Sequence, residues 1–285
     1  MLALQLAING LAVGALYALA AVGVALIFWT TRVFHIAHGG TYLIAAYSFV
    51  ALYERSVVLA LVVSLLGAAV FGWGLNKFVY RPIQRSRESF FTLFVASFGV
   101  LIIVTNVASI WAGSGAKQLE NPFGRIEIGF LQISWISVIA LVAAAVLLIG
   151  LTLFLERTET GVGLRAMADN VELVDLLGLN RKRYAAVAFT LGSVLVVPAA
   201  ILTTYLQGLT PQFGLRIATI ALIVSIAGGV GSLAGAVVGA VLLGLVDNLA
   251  TLYVSASWAV AVGFVVLLAI LVFRPSGIIP RSSAT

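Results

Sequence analysis

The sequence predicts an all-α, polytopic integral membrane protein with about eight transmembrane helices and room for a ninth. Three observations carry that prediction. Hydrophobic residues make up 62% of the 285 residues and charged residues 9%, against roughly 45–50% and about 25% in soluble domains. The few charges are clustered, and the stretches between them are long enough to hold the roughly 20 apolar residues that cross a bilayer. The basic residues gather in alternate loops, as the positive-inside rule expects of a multi-pass chain.

Taken in order, the charge-poor stretches are 1–31, 33–53, 56–76, 89–116, 128–155, 184–215, 217–246 and 248–273. The first is apolar from its start, and the first basic residue is Arg32. It has no positive leading region and no small-residue cleavage site, so Met1–Trp29 is expected to be a retained span rather than a signal peptide. Residues 217–273 have an alternative reading as three short passes with a break at "GGVGSLAG". Gly228, Gly229, Gly231, Gly235 and Gly239 fit either a helix broken at mid-membrane or close helix packing through small residues.

Loop 77–88 carries Lys77, Arg81, Arg85 and Arg87, and loop 156–183 carries Arg157, Arg165, Arg181, Lys182 and Arg183. With Arg32, Arg274 and Arg281, this puts 12 of the 16 Lys and Arg residues on one side, which should be the cytoplasm. In loop 112–132 Lys117 and Arg125 are balanced by Glu120 and Glu127, as expected of an external turn. The net charge of +6 is explained by topology, and no nucleic-acid partner is expected.

Several chemistries are excluded by inspection. There is no Cys, so no disulfide, thiol nucleophile or thiolate metal site is available. No lysine sits in a Gly-Lys-Ser/Thr phosphate loop, and neither G-x-S-x-G nor H-E-x-x-H occurs. Asp247 is the one acid within a predicted span, which leaves a paired-aspartate protease without its second carboxylate. The chain is expected not to be an enzyme.

One polar segment interrupts the apolar sequence: "GLRAMADNVELVDLLGLNRKRY", residues 163–184. A helix over 164–177 puts Asp169, Glu172 and Asp175 in one stripe, with Met167, Val171, Val174 and Leu177 on a broad opposite face. Gly161 and Gly163 precede it, and Gly178 is placed to end it at C′. A helix lying on headgroups would carry Lys and Arg on its polar face. This acidic face fits a protein partner beneath the membrane better.

Five further motifs, in order along the chain, carry a resemblance. They are "NGLAVGALYALAAVGVALIF" with "HIAHGGTYLIAAY", "RAMADNVELVDLLGLNRKR", "GGVGSLAGAVVGAVLLG" and "FRPSGIIP". Together the chain resembles the permease subunits of branched-chain amino-acid ABC importers, the LivH/LivM type, over nearly its whole length. The resemblance implies a single permease domain, 1–285, with a cytoplasmic coupling loop at 156–183. It assigns Ala168, Asp169, Leu176, Leu177, Gly178 and Asn180 to an element docking on an ATPase, beside the acidic Glu172 and Asp175. It implies a second permease subunit, homologous or identical, two ATP-binding subunits and an extracytoplasmic solute-binding protein. The chain itself would hold no cofactor, its partners using ATP and Mg. The expected location is the bacterial inner membrane.

The pathway is less clearly marked. An ionisable group inside a span is a functional hypothesis because burying it is expensive, so Asp247 is the leading candidate. Pairing with a base such as Arg216 is its structural alternative. Asn9, Asn106, Thr203, Thr204 and Gln207 are further polar candidates, although Thr and Gln often just bond neighbouring helices. His35, His38 and Gly39 lie in H-I-A-H-G, where the family pattern has Asn in place of His35. Two His at this spacing also raise a metal pair or pH sensor. Val174 replaces a residue that is often Ala in the family. An ion-coupled secondary transporter is the alternative function, but it expects several intramembrane charges.

Overall fold

A computed structural model describes residues 2–86, 89–129, 131–176 and 178–279. The described chain is almost entirely helical. Its helices are α1 (Leu2–Thr31), α2 (His38–Leu52), α3 (Val57–Gly74), α4 (Arg81–Arg85), α5 (Phe90–Ala112), α6 (Trp135–Arg157), α7 (Glu159–Asp169), α8 (Val171–Leu176), α9 (Arg181–Gln207), α10 (Phe213–Gly228), α11 (Leu233–Ala250) and α12 (Ala256–Phe273). A π-helical segment, Leu75–Tyr80, joins α3 to α4.

Among the described residues, six helices are long and apolar enough to cross a membrane: Leu2–Thr31, Val57–Arg85, Phe90–Ala112, Trp135–Arg157, Arg181–Gln207 and Leu233–Ala250. The expected count of eight is therefore not reached by full-length spans. The stretch 33–53 forms the 15-residue α2, and α10 and the apolar core of α12 are also short. The physical reason is that charge-free sequence marks where a chain can be buried, not where its helices stop. Glycines set the end of α10, and a capping serine the start of α11. At "GGVGS" α10 ends at Gly228, Gly229 and Gly231 take positive φ, and Ser232 caps α11 by accepting from the Gly235 N–H at 3.0 Å.

That glycine run is a turn between two helices rather than a break in the middle of one. The tail beyond α12 clamps it: the Ile278 and Ile279 N–H groups donate to the Ala227 and Gly228 carbonyls, each at 2.9 Å. Gly228 and Gly235 face each other across the turn with no room for a side chain. Of the two readings, close packing through small residues is the one seen here, beside the turn.

One small sheet departs from the all-α expectation. Strands β1 (Arg125–Ile128) and β2 (Leu131–Ser134) pair antiparallel with Arg125 opposite Ser134. Gln5 anchors this hairpin to α1 through its two amide atoms, each bonded at 2.8 Å to the Gln132 backbone. The alternation in "RIEI" and "LQIS" is the strand period of two.

The core is built around α1, which is buried along most of its length and packs most extensively on α11 and α9. Inside a bilayer, apolar character does not separate the protein interior from lipid; side-chain size does. The buried positions of α3 are Ala60, Ser64, Ala68 and Gly72, four apart, while Val58, Leu66 and Val70 on its other faces are exposed. On α11 the buried stripe includes Gly235, Ala236, Gly239, Ala240 and Gly244. A Cβ on Gly10 of α1 would come within 2.8 Å of the Gly244 carbonyl oxygen. A Cβ on Gly23 would come within 2.7 Å of the Gly192 carbonyl of α9. Hydroxyls add bonds between helices: Ser225 donates to Ala21 O at 3.0 Å and Ser64 to Ala45 O at 2.9 Å.

Candidate functional site

Two regions hold most of the sequence-predicted site residues; His35, His38 and Asn106 lie outside both. The first lies at the end of the molecule where the bases collect. Arg32 stops α1 with a φ of 57°, and its guanidinium donates to Ala168 O at 3.3 Å. Arg81 donates to the Lys182 carbonyl, and Arg81, Arg85, Arg181 and Lys182 line one cleft of about 180 Å³. Arg32, Arg81, Arg85, Arg181 and Lys182 thus share one end of the molecule, while Arg87 and Arg281 lie outside the described residues.

The polar segment at this end is two helices rather than the single helix expected over 164–177. α7 ends at Asp169, and Asn170 adopts extended backbone, φ −150° and ψ 104°, before α8 begins at Val171. Asn competes with helix through local hydrogen bonds, and here that preference overrides the apolar periodicity that continues through it. Asp169 therefore does not share one continuous helix with Glu172 and Asp175. The side chains of Glu172, Leu173 and Asp175, and the whole of Leu177, lie outside the described residues. Gly161 and Gly163 sit inside α7 instead of ahead of it; a Cβ on Gly163 would overlap the Tyr184 ring.

The apolar side of this element is packed against the body of the protein, with Leu164, Met167 and Val174 fully buried. Ala168 also faces inward. The outward surface of the described residues includes Asp169, Asn170, Leu176, Gly178, Leu179 and Asn180. Leu176 is 84% exposed, a large apolar side chain held at the tip of a polar end. Gly178 has φ +68°, and the Leu179 N–H returns to Val174 O at 3.1 Å. This is the six-to-one bond of a Schellman cap with its glycine at C′, as the sequence predicts. Asn180 then caps α9, its side-chain oxygen accepting from the Arg183 N–H at 3.2 Å.

The second region is a polar cluster in the interior. The Tyr17 hydroxyl of α1 donates to Asp247 Oδ2 of α11 at 3.2 Å. Arg216, in the first turn of α10, acts electrostatically on both groups. Its guanidinium is held by Gln207 Oε1 of α9 at 3.4 Å. The buried hydroxyl of Tyr42 from α2 points into the same place beside Thr203 of α9, without completing a hydrogen bond of good geometry. Five helices thus contribute polar side chains to one place, buried at Tyr17, Tyr42, Thr203 and Asp247, half-buried at Arg216 and exposed at Gln207. Gly39 and Gly214 allow this convergence, because the N-terminal turns of α2 and α10 meet there and a side chain on Gly39 would strike the Gly214 carbonyl.

A cavity of about 530 Å³ opens at the hairpin end, lined in part by Gln5, Asn9, Gln132, Ser137, Gln207 and Asn248. Gln207, which lines this cavity, also accepts from Arg216 of the cluster at 3.4 Å. Asn9 and Gln207 line the cavity, while Thr203 and Asp247 belong to the cluster. Asn106 does not join them: it is exposed on α5 and bonds Ile102 O of its own helix at 2.8 Å. Thr204 likewise bonds back to Ala200 O at 2.7 Å. Tyr17, Tyr42 and Arg216 were not singled out as pathway residues. Arg216, an isolated base between long apolar runs, was the available signal.

The two histidines lie elsewhere in the interior. His35 Nδ1 is 2.8 Å from the Tyr80 hydroxyl, which donates to Ser97 Oγ at 2.8 Å; Ser97 also accepts from the Ala37 N–H at 2.9 Å. His38 packs against α1 at Gly23. Their ring centroids are 5.6 Å apart, yet no group of three or more His, Cys, Asp or Glu side chains capable of holding a metal occurs among the described residues. The arrangement ties three segments together.

Comparison with known proteins now bears on these two regions. Residues 6–271 match the family model described as "Branched-chain amino acid transport system / permease component". The chain belongs to this family. It is 28% identical to the high-affinity branched-chain amino acid transport system permease protein BraD of Pseudomonas aeruginosa, covering 98% of this chain and 96% of that one. It is 27% identical to LivH of Escherichia coli K12 over the same shares of both chains. The autoinducer 2 import system permease LsrC of Escherichia coli is 30% identical over 195 residues, 63% of this chain and 54% of its own. No solved structure matches. In this permease family member, the matched range contains the polar cluster and the exposed α7–α8 element, along with α2 to α11 and nearly all of α1 and α12.

Proposed function

We propose that this chain is the membrane-embedded permease subunit of a binding-protein-dependent ABC importer for branched-chain amino acids or a related small polar solute. It works in a bacterial inner membrane beside a second permease subunit. Two ATP-binding subunits, using ATP and Mg, drive it from the cytoplasm, and an extracytoplasmic binding protein delivers the solute. The similarity to BraD and LivH along nearly the entire chain favours the amino-acid substrate. The shorter similarity to LsrC supports the wider class of small polar solutes.

The observation that carries the reading is the α7–α8 element: an apolar tip at Leu176, fixed by a Schellman glycine and exposed at the basic end of the molecule. A large apolar side chain exposed at a polar end is available to a protein partner, and the fixed turn that presents it favours that use. Leu176, Gly178 and Asn180, with Asp169 and the neighbouring acids Glu172 and Asp175, form the proposed ATPase contact. Ala168 supports it from within, through the bond from Arg32. Closure of the ATPases would push this element against α1 and α9, on which it packs.

In the same reading the chain crosses the membrane nine times, through α1, α2, α3, α5, α6, α9, α10, α11 and α12. The hairpin end is external and the basic end cytoplasmic. Short helices suffice where the protein interior, rather than lipid, satisfies the backbone. Solute would enter from the cavity at the hairpin end. Purification of the native complex, with mass identification of the partners and of the bound solute, tests the assignment. Two ATP-binding subunits and a small amino acid are expected. Recovery of the permease without ATP-binding subunits from a gently solubilised membrane would contradict it.

A further inference from the structure

We infer that Asp247 and Arg216, with Tyr17 and Tyr42, form a recognition site for the zwitterionic head of an α-amino acid inside the permease. This rests on the importer reading above and deepens it from solute transport to a specific contact. The argument begins with cost. A carboxylate and a guanidinium placed within apolar helices are both expensive, and two such groups kept only for stability would close into a tight bidentate pair. Here they do not. Asp247 accepts from Tyr17, and Arg216 is drawn toward Gln207. The two charges remain neighbours that sense each other.

A free α-amino acid carries an ammonium and a carboxylate on one carbon. Asp247 offers the ammonium an anionic acceptor, and its orientation is fixed by the Tyr17 hydroxyl. Arg216 offers the carboxylate planar N–H donors, in the first turn of α10 where the helix dipole adds positive potential. The Tyr42 hydroxyl, buried and without a completed bond, is a further donor for the same carboxylate. Buried polar atoms left unpaired are rare and call for an explanation, and a transient ligand supplies one. The approach is the cavity lined by Asn9, Gln207 and Asn248. Recognition of the head alone leaves the side chain unread, so the binding protein can set which amino acid is delivered.

The test uses the purified complex of permease and ATP-binding subunits, without binding protein. Ligand-observed NMR measures binding of L-leucine, leucinamide and N-acetyl-L-leucine. Wild type should bind L-leucine and prefer it to both analogues, because leucinamide lacks the carboxylate and the acetyl compound lacks the ammonium. Arg216→Gln should lose the preference for L-leucine over leucinamide while keeping that over N-acetyl-L-leucine. Asp247→Asn should do the reverse. Each lost preference should be roughly tenfold or more, the size of one charge-assisted hydrogen bond. A wild-type complex that binds no L-leucine, or that binds all three alike, would overturn the inference. So would variants that weaken all three ligands equally, since that is the mark of a structural role. Stimulation of ATP hydrolysis by loaded binding protein, measured on the same wild-type preparation, reports separately on the importer reading.

Discussion

The hydroxyl of Tyr17 reaches across from α1 to Oδ2 of Asp247 on α11 at 3.2 Å. It joins the two helices that pack most extensively on each other, at the one acid buried in their interface. Asp247→Ala should therefore lower uptake strongly while leaving membrane insertion and subunit assembly intact. Tyr17→Phe should have the smaller effect, since Asp247 keeps its charge and loses a bond of about 0.5–1.5 kcal/mol. Uptake by cells carrying each variant, with complex recovery as control, checks this; unchanged uptake in Asp247→Ala would return the residue to a purely structural role.

Glycine contacts set how closely α1 approaches its neighbours. A Cβ on Gly14 would lie 2.9 Å from the Cα of Val241, against backbone that cannot yield. Gly14→Val should overpack this interface, lowering stability by about 1–3 kcal/mol or more. Gly99 and Gly150, which meet nothing within 4 Å, should accept Ala without loss and with a small gain in helix propensity. Thermal unfolding of the purified complex distinguishes the two classes.

The buried chain from His35 through Tyr80 to Ser97 holds the segment between α1 and α2 against α5 and the π-helical turn. Tyr80→Phe removes the hydroxyl on which both partners depend and strands polar atoms in a dry interior, at a cost of about 1–3 kcal/mol. Lower expression and a lower melting temperature are expected, with the variant that survives still showing normal substrate preference. Full stability in Tyr80→Phe would mean that the network contributes nothing.

Much of this was legible in the sequence because bilayers impose strong rules. Charge gaps located the long spans, and the bases identified one end of the molecule. Gly178 was assigned its positive φ from its place after a periodic segment. The central role of α1 was harder to see, because a stripe of Ala and Gly is no less apolar than a lipid-facing stripe of Val and Leu; residue volume, not hydropathy, carried that signal. The break at Asn170 was lost because periodicity was extended through a residue that favours turns. Asp247 was identified from its cost alone. Tyr17 and Tyr42, whose aromatic bodies are at home anywhere in a membrane, could be assigned only when five helices brought their hydroxyls together.

Topology gives an independent check that needs no activity. Ser86 lies at the basic end, beyond α4, and Ser114 is exposed between α5 and the hairpin. The chain has no Cys of its own, so single replacements are clean probes. Ser114→Cys should be labelled by an impermeant thiol reagent added to intact cells, and Ser86→Cys only after the membrane is opened. Labelling of Ser86→Cys from outside would invert the assignment of the two ends.

In the proposed importer the α7–α8 tip transmits ATP-driven motion into the spans. ATP hydrolysis by the reconstituted importer, stimulated by loaded binding protein, reads this out in Leu176→Glu. Leu176 is 84% exposed, so a charge there should leave the permease folded and inserted while disfavouring an apolar groove on the partner. Gly178→Val, which forces a β-branched residue to φ +68° at about 1–2 kcal/mol, should misdirect the same tip. The account predicts that Leu176→Glu loses stimulated hydrolysis by roughly tenfold or more, as expected for an interface anchor, together with retention of the ATP-binding subunits. Normal stimulation and normal retention in Leu176→Glu would contradict it.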